Sequence, residues 1–137
     1  MAKIKLDSPV LPDVHVIAIS SHVNDYRLCW SINKSLGLNL ERRRTDIEAQ
    51  GPQGKALFPA FDSIDEETRT TVTLVGNHAP EGVLLADQHQ ADYFLVIDEE
   101  APLRPGQALE GLRRTEFILA AFELDIRQLK GAYKLLE

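Results

Sequence analysis

Cysteine is almost absent from this sequence, and the one that is present, Cys29, has no partner within the chain. A single cysteine excludes an intramolecular disulfide framework and a CxxC redox motif, so Cys29 is expected to be a small apolar residue of the core. Basic residues are also in the minority, 15 against 21 acidic ones, which gives a formal net charge of −6. That balance disfavours a nucleic-acid-binding role.

Long apolar runs are missing as well. No stretch approaches the about 18 apolar residues of a membrane span. The first ten residues, MAKIKLDSPV, contain no apolar signal-peptide region. The sequence therefore predicts a cytoplasmic protein with no membrane partner.

The motifs of common nucleotide-binding and hydrolytic enzymes are absent from the sequence. It has no P-loop, no Rossmann glycine pattern, no HExxH and no GxSxG. The GPQGK segment at 51–55 contains glycines and a lysine but lacks the Walker spacing, so it is interpreted as an ordinary turn. No cofactor is predicted.

The possible metal ligands are too scattered to predict a metal site. His22 and Cys29 would share a helix face, but their spacing at about 1.5 Å per residue separates them by about 10 Å, too far to bind one zinc ion. His78 and His89 fall in predicted loops near Asp87, and nothing in the spacing requires them to meet. No metal is predicted.

One domain over residues 1–137 is predicted, because no repeat, low-complexity run or linker divides the chain. The predicted class is α+β, a mostly antiparallel sheet with one long core helix at about 22–36 and shorter C-terminal helices packed on it. The apolar residues of 116–124 fit neither the helical nor the strand period well, so this segment is predicted to be either a helix or a strand. The predicted strands are 4–6, 14–19, 38–47, 57–61, 70–75 and 93–97, and the predicted short helical segments are 84–90, 107–114 and 126–133.

The most regular stretch is SSHVNDYRLCWSINKSLG, from Ser20 to Gly37. On a helical wheel its apolar residues fill an arc of about 220°, whereas a surface helix needs only about 100°. The stretch is therefore predicted to be a core helix that is covered on more than one side, with Trp30 in the core. Ser20 or Ser21 is the predicted N-cap, and Gly37 is the predicted C-terminal stop.

Three polar residues interrupt the apolar arc of this helix: His22, Asp25 and Asn33. Asp25 either accepts backbone N–H groups and complements the helix dipole in the first turn, or forms one wall of a pocket with His22 and Asn33. His22 and Asp25, three residues apart on one face, are also a candidate acid–base pair, with Asp92 at the start of an apolar strand as a candidate partner. No catalytic residue is assigned. The full set of candidate binding residues is His22, Asp25, Tyr26, Asn33, Asp92 and Tyr93.

Two segments of the chain resemble a known family. They are the run DYRLCW at 25–30, followed by Asn33, and the segment LADQHQADYFL at 85–95. Both are similar to the IPExxxVDY family of Bacteroidota, although Leu85-Ala86-Asp87 and Ala91 replace the first four motif residues and only Asp92-Tyr93 matches strictly. The resemblance spans Ile4 to Leu136 and implies that 116–124 is a strand followed by a short helical turn. It implies no biochemical activity.

These observations lead to two functional hypotheses. The leading one is a non-enzymatic protein-interaction or regulatory domain that uses an exposed face or strand edge to bind an unidentified protein. The alternative is a small-molecule-binding domain or weak enzyme with a polar pocket at the start of the long helix. Pro59 and the short strand at 4–6 leave at least one sheet edge to be covered, and a homodimer is predicted to cover it.

Overall fold

The computed structural model describes residues 13–136, so the predicted strand at 4–6 lies outside the described residues. The helices are α1 (Asp25–Leu36) and α2 (Pro105–Arg113). Short 3-10 segments cover Ala86–Gln88, Ile126–Gln128 and Ala132–Leu136. The strands are β1 (Val14–Ser20), β2 (Glu41–Arg42), β3 (Ile47–Gly51), β4 (Gly54–Phe58), β5 (Ala60–Asp65), β6 (Thr70–Gly76), β7 (His78–Ala79), β8 (Gly82–Val83), β9 (Tyr93–Asp98) and β10 (Ala120–Leu124).

A six-stranded sheet in the order β10-β1-β9-β6-β5-β2 organises the described residues, and every neighbouring pair in it is antiparallel. Two hairpins, β3–β4 and β7–β8, form separate two-stranded sheets. The predicted α+β class with a mostly antiparallel sheet is therefore confirmed. The predicted strands at 14–19, 70–75 and 93–97 are β1, β6 and β9, three adjacent interior strands of this sheet.

Both faces of the sheet are covered, which explains why its central strands are apolar at successive positions. Ile17 and Ile19 of β1 pack on the side that carries α1 and α2, in a cluster with Leu28 and Leu112. Val16 and Ala18 point to the opposite side, where the β3–β4 hairpin and the C-terminal 3-10 segments cover them.

Helix α1 begins later than predicted. Asn24 is the N-cap, and its side-chain oxygen accepts a hydrogen bond from the Arg27 amide at 2.9 Å. Ser21 is not the cap, because its hydroxyl donates instead to the carbonyl of Phe117 at 2.6 Å. The predicted stop is confirmed, since Gly37 has a left-handed φ of 68° and its amide donates to the Asn33 carbonyl.

Helix α1 buries only one side. Leu28, Cys29, Ser31 and Ile32 are its buried residues, and they face the sheet and α2. Trp30 is 56% exposed, so the prediction that it belongs to the core is wrong. The predicted 220° arc failed because it counted every apolar residue as buried, whereas the sheet and α2 leave the outer arc of the helix uncovered.

The remaining segments differ from the predictions in length and position. Within the predicted strand 38–47 only the two residues of β2 and Ile47, the first residue of β3, are in strands. The predicted strand 57–61 is split at Pro59 into β4 and β5. Residues 120–124 form strand β10, followed by a 3-10 segment at 126–128. Helix α2 packs against α1, whereas the 3-10 segment at 132–136 packs on the other face of the sheet.

Candidate functional site

Three of the six candidate binding residues line one open cleft, which we call the helix-start cleft. Asp25, Asp92 and Tyr93 contribute to it, and its volume is about 390 Å³. The cleft forms where the chain leaves β1, enters α1 and passes the start of β9. Its complete lining is Ser21, Val23, Asn24, Asp25, Pro59, Gly76, His78, Asp92 and Tyr93.

Asp92 is fixed by hydrogen bonds on both its backbone and its side chain. Its amide donates to the Ile19 carbonyl at 2.8 Å, and its Oδ2 accepts from the Ser21 amide at 2.8 Å. The other carboxylate oxygen, Oδ1, lies 3.7 Å from Nε2 of His78. At that separation the two groups attract each other when the imidazole is protonated, but they are not hydrogen-bonded.

Tyr93 connects the start of β9 to the segment before α1. Its hydroxyl donates to the Val23 carbonyl at 3.0 Å. Burial, together with the negative charges of Asp25 and Asp92, raises the pKa of Tyr93 to about 12. The phenol therefore stays protonated at neutral pH and acts as a hydrogen-bond donor, not as a base.

The other three candidate residues do not line the helix-start cleft. His22 is exposed on the turn before α1. Asn33 bonds locally, because its Oδ1 accepts from the Leu40 amide at 2.8 Å and its Nδ2 donates to the Leu40 carbonyl at 3.4 Å. Asn33 therefore fixes the chain that follows α1, and the structure does not bring it together with His22 and Asp25.

His78 was not among the candidate binding residues, although it is the imidazole nearest to Asp92. Its neighbour Asn77 positions it, because the fully buried Asn77 side chain donates to the carbonyls of Gln88 and Ala91 and accepts from the Leu85 amide, each at 2.9 Å. The sequence holds one signal of this arrangement, an asparagine directly after a strong β-branched strand. The register that pairs Gly76 with Tyr93 then sets His78 beside Asp92.

The buried thiol of Cys29 offers no nucleophile near the cleft. Burial, together with the negative charge of Asp25, raises the pKa of Cys29 to about 12. The thiolate is the reactive form of cysteine, and it is not populated near neutral pH under these conditions. In the described part of the chain, no group of three or more His, Cys, Asp and Glu residues is arranged to hold a metal ion.

A second feature, which we call the aromatic face, lies on the outer side of α1 and consists of Tyr26, Arg27, Trp30 and Lys34. Tyr26 is 63% exposed, and Trp30, one turn further along, is 56% exposed. Lys34 Nζ lies 4.8 Å from the centre of the Trp30 ring, within the range of a cation–π interaction. Two large aromatic side chains, Tyr26 and Trp30, are therefore exposed to solvent on the same side of α1 as the cations Arg27 and Lys34.

Neighbouring rings hold the aromatic face in place. The Arg27 guanidinium lies 4.8 Å from the centre of the Phe117 ring. Tyr26 meets the buried ring of Phe61 edge to face, with centroids 5.9 Å apart and an interplanar angle of 83°. These contacts restrain the ring of Tyr26 and the head group of Arg27.

The fold and these two features define an α+β domain with a shallow polar cleft at one end of α1 and an exposed aromatic face along it. Comparisons with protein-family models, with curated proteins and with solved structures found no match for this chain. Within the described residues, no helix has the length and apolar character needed to cross a membrane. The resemblance to the IPExxxVDY family stays a prediction.

Proposed function

We propose that this protein is a non-enzymatic protein-interaction domain that binds its partner through the aromatic face. The observation that carries the proposal is the exposure of Trp30 and Tyr26 on one side of a helix whose other side is fully packed. Tryptophan, tyrosine and arginine are the residues most enriched at the energetic centres of protein interfaces. The aromatic face contains all three.

The charge of the aromatic face indicates the chemistry of the partner. Arg27 and Lys34 place two cations on this face, although the whole chain has a formal net charge of −6. A local excess of positive charge on an acidic protein favours a partner segment that carries carboxylates beside apolar side chains. We therefore propose an acidic protein partner. Cytoplasmic residence is part of the same proposal.

A small-molecule site at the helix-start cleft is the second candidate. The specific observation in its favour is the convergence of Asp25, Asp92 and His78 around one open volume. The cleft is shallow, and the phenol of Tyr93 in its wall is held protonated. The carboxylate of Asp92 lies 3.7 Å from the His78 imidazole, too far for the hydrogen bond of an acid–base pair. We therefore propose binding rather than catalysis for this cleft.

The test of the interaction proposal compares three variants in which one exposed aromatic side chain is replaced by alanine. The protein is used to isolate its partner from the native host, and the affinity of the purified pair is then measured for wild type, Tyr26→Ala, Trp30→Ala and Tyr133→Ala. Tyr133 is the control, because it is 60% exposed but lies in the segment that covers the opposite face of the sheet. We expect Tyr26→Ala and Trp30→Ala to weaken binding at least tenfold, as loss of a hot-spot side chain does, at about 1.4 kcal/mol per factor of ten.

Trp30 also provides a direct spectroscopic signal, since it is the only tryptophan in the chain. Its emission should move to shorter wavelength when a partner without tryptophan covers the aromatic face. Equal affinities for all four proteins, with no change in Trp30 emission, would overturn the proposal. Loss of binding in Asp92→Asn but not in Tyr26→Ala would favour the helix-start cleft instead.

A further inference from the structure

A small cleft opens beside Trp30, between α1 and the chain that follows α2. We call it the Trp30 cleft, and its volume is about 270 Å³. It borders the aromatic face, because Trp30 and Lys34 belong to both. Its lining residues are Trp30, Ser31, Lys34, Ser35, Arg114, Thr115 and Glu116.

Ser31 borders this cleft and carries a buried, unpaired hydroxyl. Its side chain is only 4% exposed, and its hydroxyl oxygen has no hydrogen-bond partner among the residues that the structure describes. Buried polar groups are almost always paired, because an unpaired one costs about 1–3 kcal/mol. The described residues supply no such partner, and the Trp30 cleft is the open volume that Ser31 borders.

The other hydroxyl groups of the cleft are positioned in advance. The Thr115 hydroxyl lies 2.7 Å from both the Ser35 hydroxyl and the Gly111 carbonyl. Thr115 is itself buried, so its side chain is fixed against α2. The Thr115 side chain therefore needs little further ordering when a ligand binds.

The charges around the cleft select the type of ligand. Lys34 and Arg114 supply two cations, and Glu116 supplies one carboxylate, so the lining has a balance of one positive charge. Part of the Arg114 charge is engaged by Glu110, whose carboxylate lies 3.8 Å away. This balance matches a monoanion, and a phosphate with nearly two charges would be repelled by Glu116.

We propose that the Trp30 cleft binds the carboxylate of an aspartate or glutamate side chain of the protein partner, with an apolar neighbour of that residue lying on Trp30. This inference rests on the proposed interaction through the aromatic face and names the chemical group that the face recognises. Lys34 supplies the charge and Trp30 supplies the apolar contact. The Ser31 hydroxyl, which has almost no accessible surface in the free protein, turns toward the cleft and donates to the carboxylate.

The test uses three blocked dipeptides that differ at one side chain: acetyl-Glu-Leu-amide, acetyl-Gln-Leu-amide and acetyl-phosphoSer-Leu-amide. Each is titrated into the isotopically labelled full chain while the indole signal of Trp30 and the amide signals of Ser31 and Thr115 are followed by NMR. We expect saturable shifts with the glutamyl peptide. The glutaminyl peptide should bind about fivefold more weakly, because it lacks the charge-assisted hydrogen bond.

Two variants assign the effect to the cleft. Lys34→Gln should remove the difference between the glutamyl and glutaminyl peptides, while Lys130→Gln, a change at an exposed lysine outside the cleft lining, should retain it. Ser31→Ala should weaken the glutamyl peptide about threefold and yet leave the free protein as stable as wild type or more stable, since it removes an unpaired buried hydroxyl. A purely structural serine would lose stability and leave peptide affinity unchanged.

The outcomes separate this inference from the proposed function. Equal binding of the glutamyl and glutaminyl peptides, or tighter binding of the phosphoseryl peptide, overturns the carboxylate assignment. If that happens while Tyr26→Ala and Trp30→Ala still weaken the purified partner, the interaction through the aromatic face stands. If Tyr26→Ala leaves the partner unaffected, the interaction proposal fails even though the cleft binds a carboxylate.

Discussion

The side-chain amide of Asn77 donates a hydrogen bond to the carbonyl oxygen of Ala91 at 2.9 Å, in a position from which solvent is fully excluded. The same side chain also donates to the Gln88 carbonyl and accepts from the Leu85 amide. One residue thereby closes the loop between β8 and β9 and places His78 at the helix-start cleft.

Replacing Asn77 with alanine should destabilise the protein by about 3 kcal/mol or more, because each buried backbone group left without a partner costs about 1–3 kcal/mol. The free energy of unfolding from urea titration measures the loss. Asn39→Ala is the control, since Asn39 is exposed, and it should change stability by less than about 0.5 kcal/mol. A loss below about 1 kcal/mol for Asn77→Ala would show that the loop is closed by other contacts.

The Arg43–Asp62 pair should make stability depend on pH. Arg43 donates to both carboxylate oxygens of Asp62, at 2.9 and 3.0 Å, and the Thr73 hydroxyl donates to Oδ1 at 2.7 Å. Burial raises the pKa of Asp62, but the hydrogen bonds from Arg43 and Thr73 outweigh it and hold the pKa below its usual value. The stabilisation is therefore present above the unfolded-state pKa of about 3.9 and is lost as the pH falls through the folded-state pKa.

The measurement is the free energy of unfolding of wild type and Asp62→Asn between pH 7 and pH 2. We expect the variant to be less stable at pH 7 and the difference to shrink below about pH 4. Glu66→Gln removes an exposed carboxylate in the turn between β5 and β6 and serves as the control. A difference that stays constant down to pH 2 would contradict the proposed role of the Asp62 charge.

Trp30 and Phe94 should respond very differently to truncation. Phe94 is fully buried in β9, so Phe94→Ala should cost about 3–5 kcal/mol. Trp30→Ala should cost less than about 1 kcal/mol, because most of its side chain already contacts water. Chemical denaturation of both variants gives the comparison. A loss for Trp30→Ala as large as that for Phe94→Ala would mean that the tryptophan is part of the core after all.

A homodimer remains our prediction for assembly, and the structure suggests where its contact lies. Strand β10 is at one edge of the sheet, and Phe122 on it is 58% exposed. The Arg113 guanidinium donates twice to the Ala121 carbonyl, at 3.2 and 3.0 Å, which obstructs direct addition of another strand at that position. We therefore expect the two copies to meet through apolar side chains of this edge.

Light scattering tests the assembly directly. Wild type should have twice the mass of the 15.3 kDa chain at high micromolar concentration, and Phe122→Lys should have the mass of one chain. Ile64→Lys, a change at an equally exposed side chain on β5, should leave the mass unchanged. A wild-type protein that stays monomeric under these conditions would rule out this contact.

The parts of the fold that were predicted correctly are those fixed by local chemistry. Strands β1, β6 and β9 are runs of β-branched and apolar residues, and the left-handed conformation of Gly37 ends α1 where a glycine was expected. The exposure of Trp30 could not be predicted in the same way, because a helical wheel shows which residues are apolar but not which arc a sheet will cover.

The helix-start cleft shows the same limit for the site. Asp92 was expected to be near Asp25 because it begins an apolar strand, and both residues line the cleft. His78 was missed because its position depends on the pairing of β6 with β9, a register between residues far apart in sequence. Asn33 was placed in a pocket on its wheel position alone, whereas its hydrogen bonds go to Leu40, seven residues further along the chain.

The position of β1 in the sheet constrains how the chain can fold as it is synthesised. Strand β1 pairs with β9 and β10, so neither neighbour of this apolar strand exists before residues 93–98 and 120–124 have been made. The side chains of Ile17 and Ile19 therefore lack their native sheet neighbours until residues 93–98, and then 120–124, have been synthesised. Non-local pairing of this kind slows folding and leaves unpaired, apolar strand edges exposed to other molecules. This interior strand of the finished sheet is therefore a segment of the nascent chain that is exposed to aggregation.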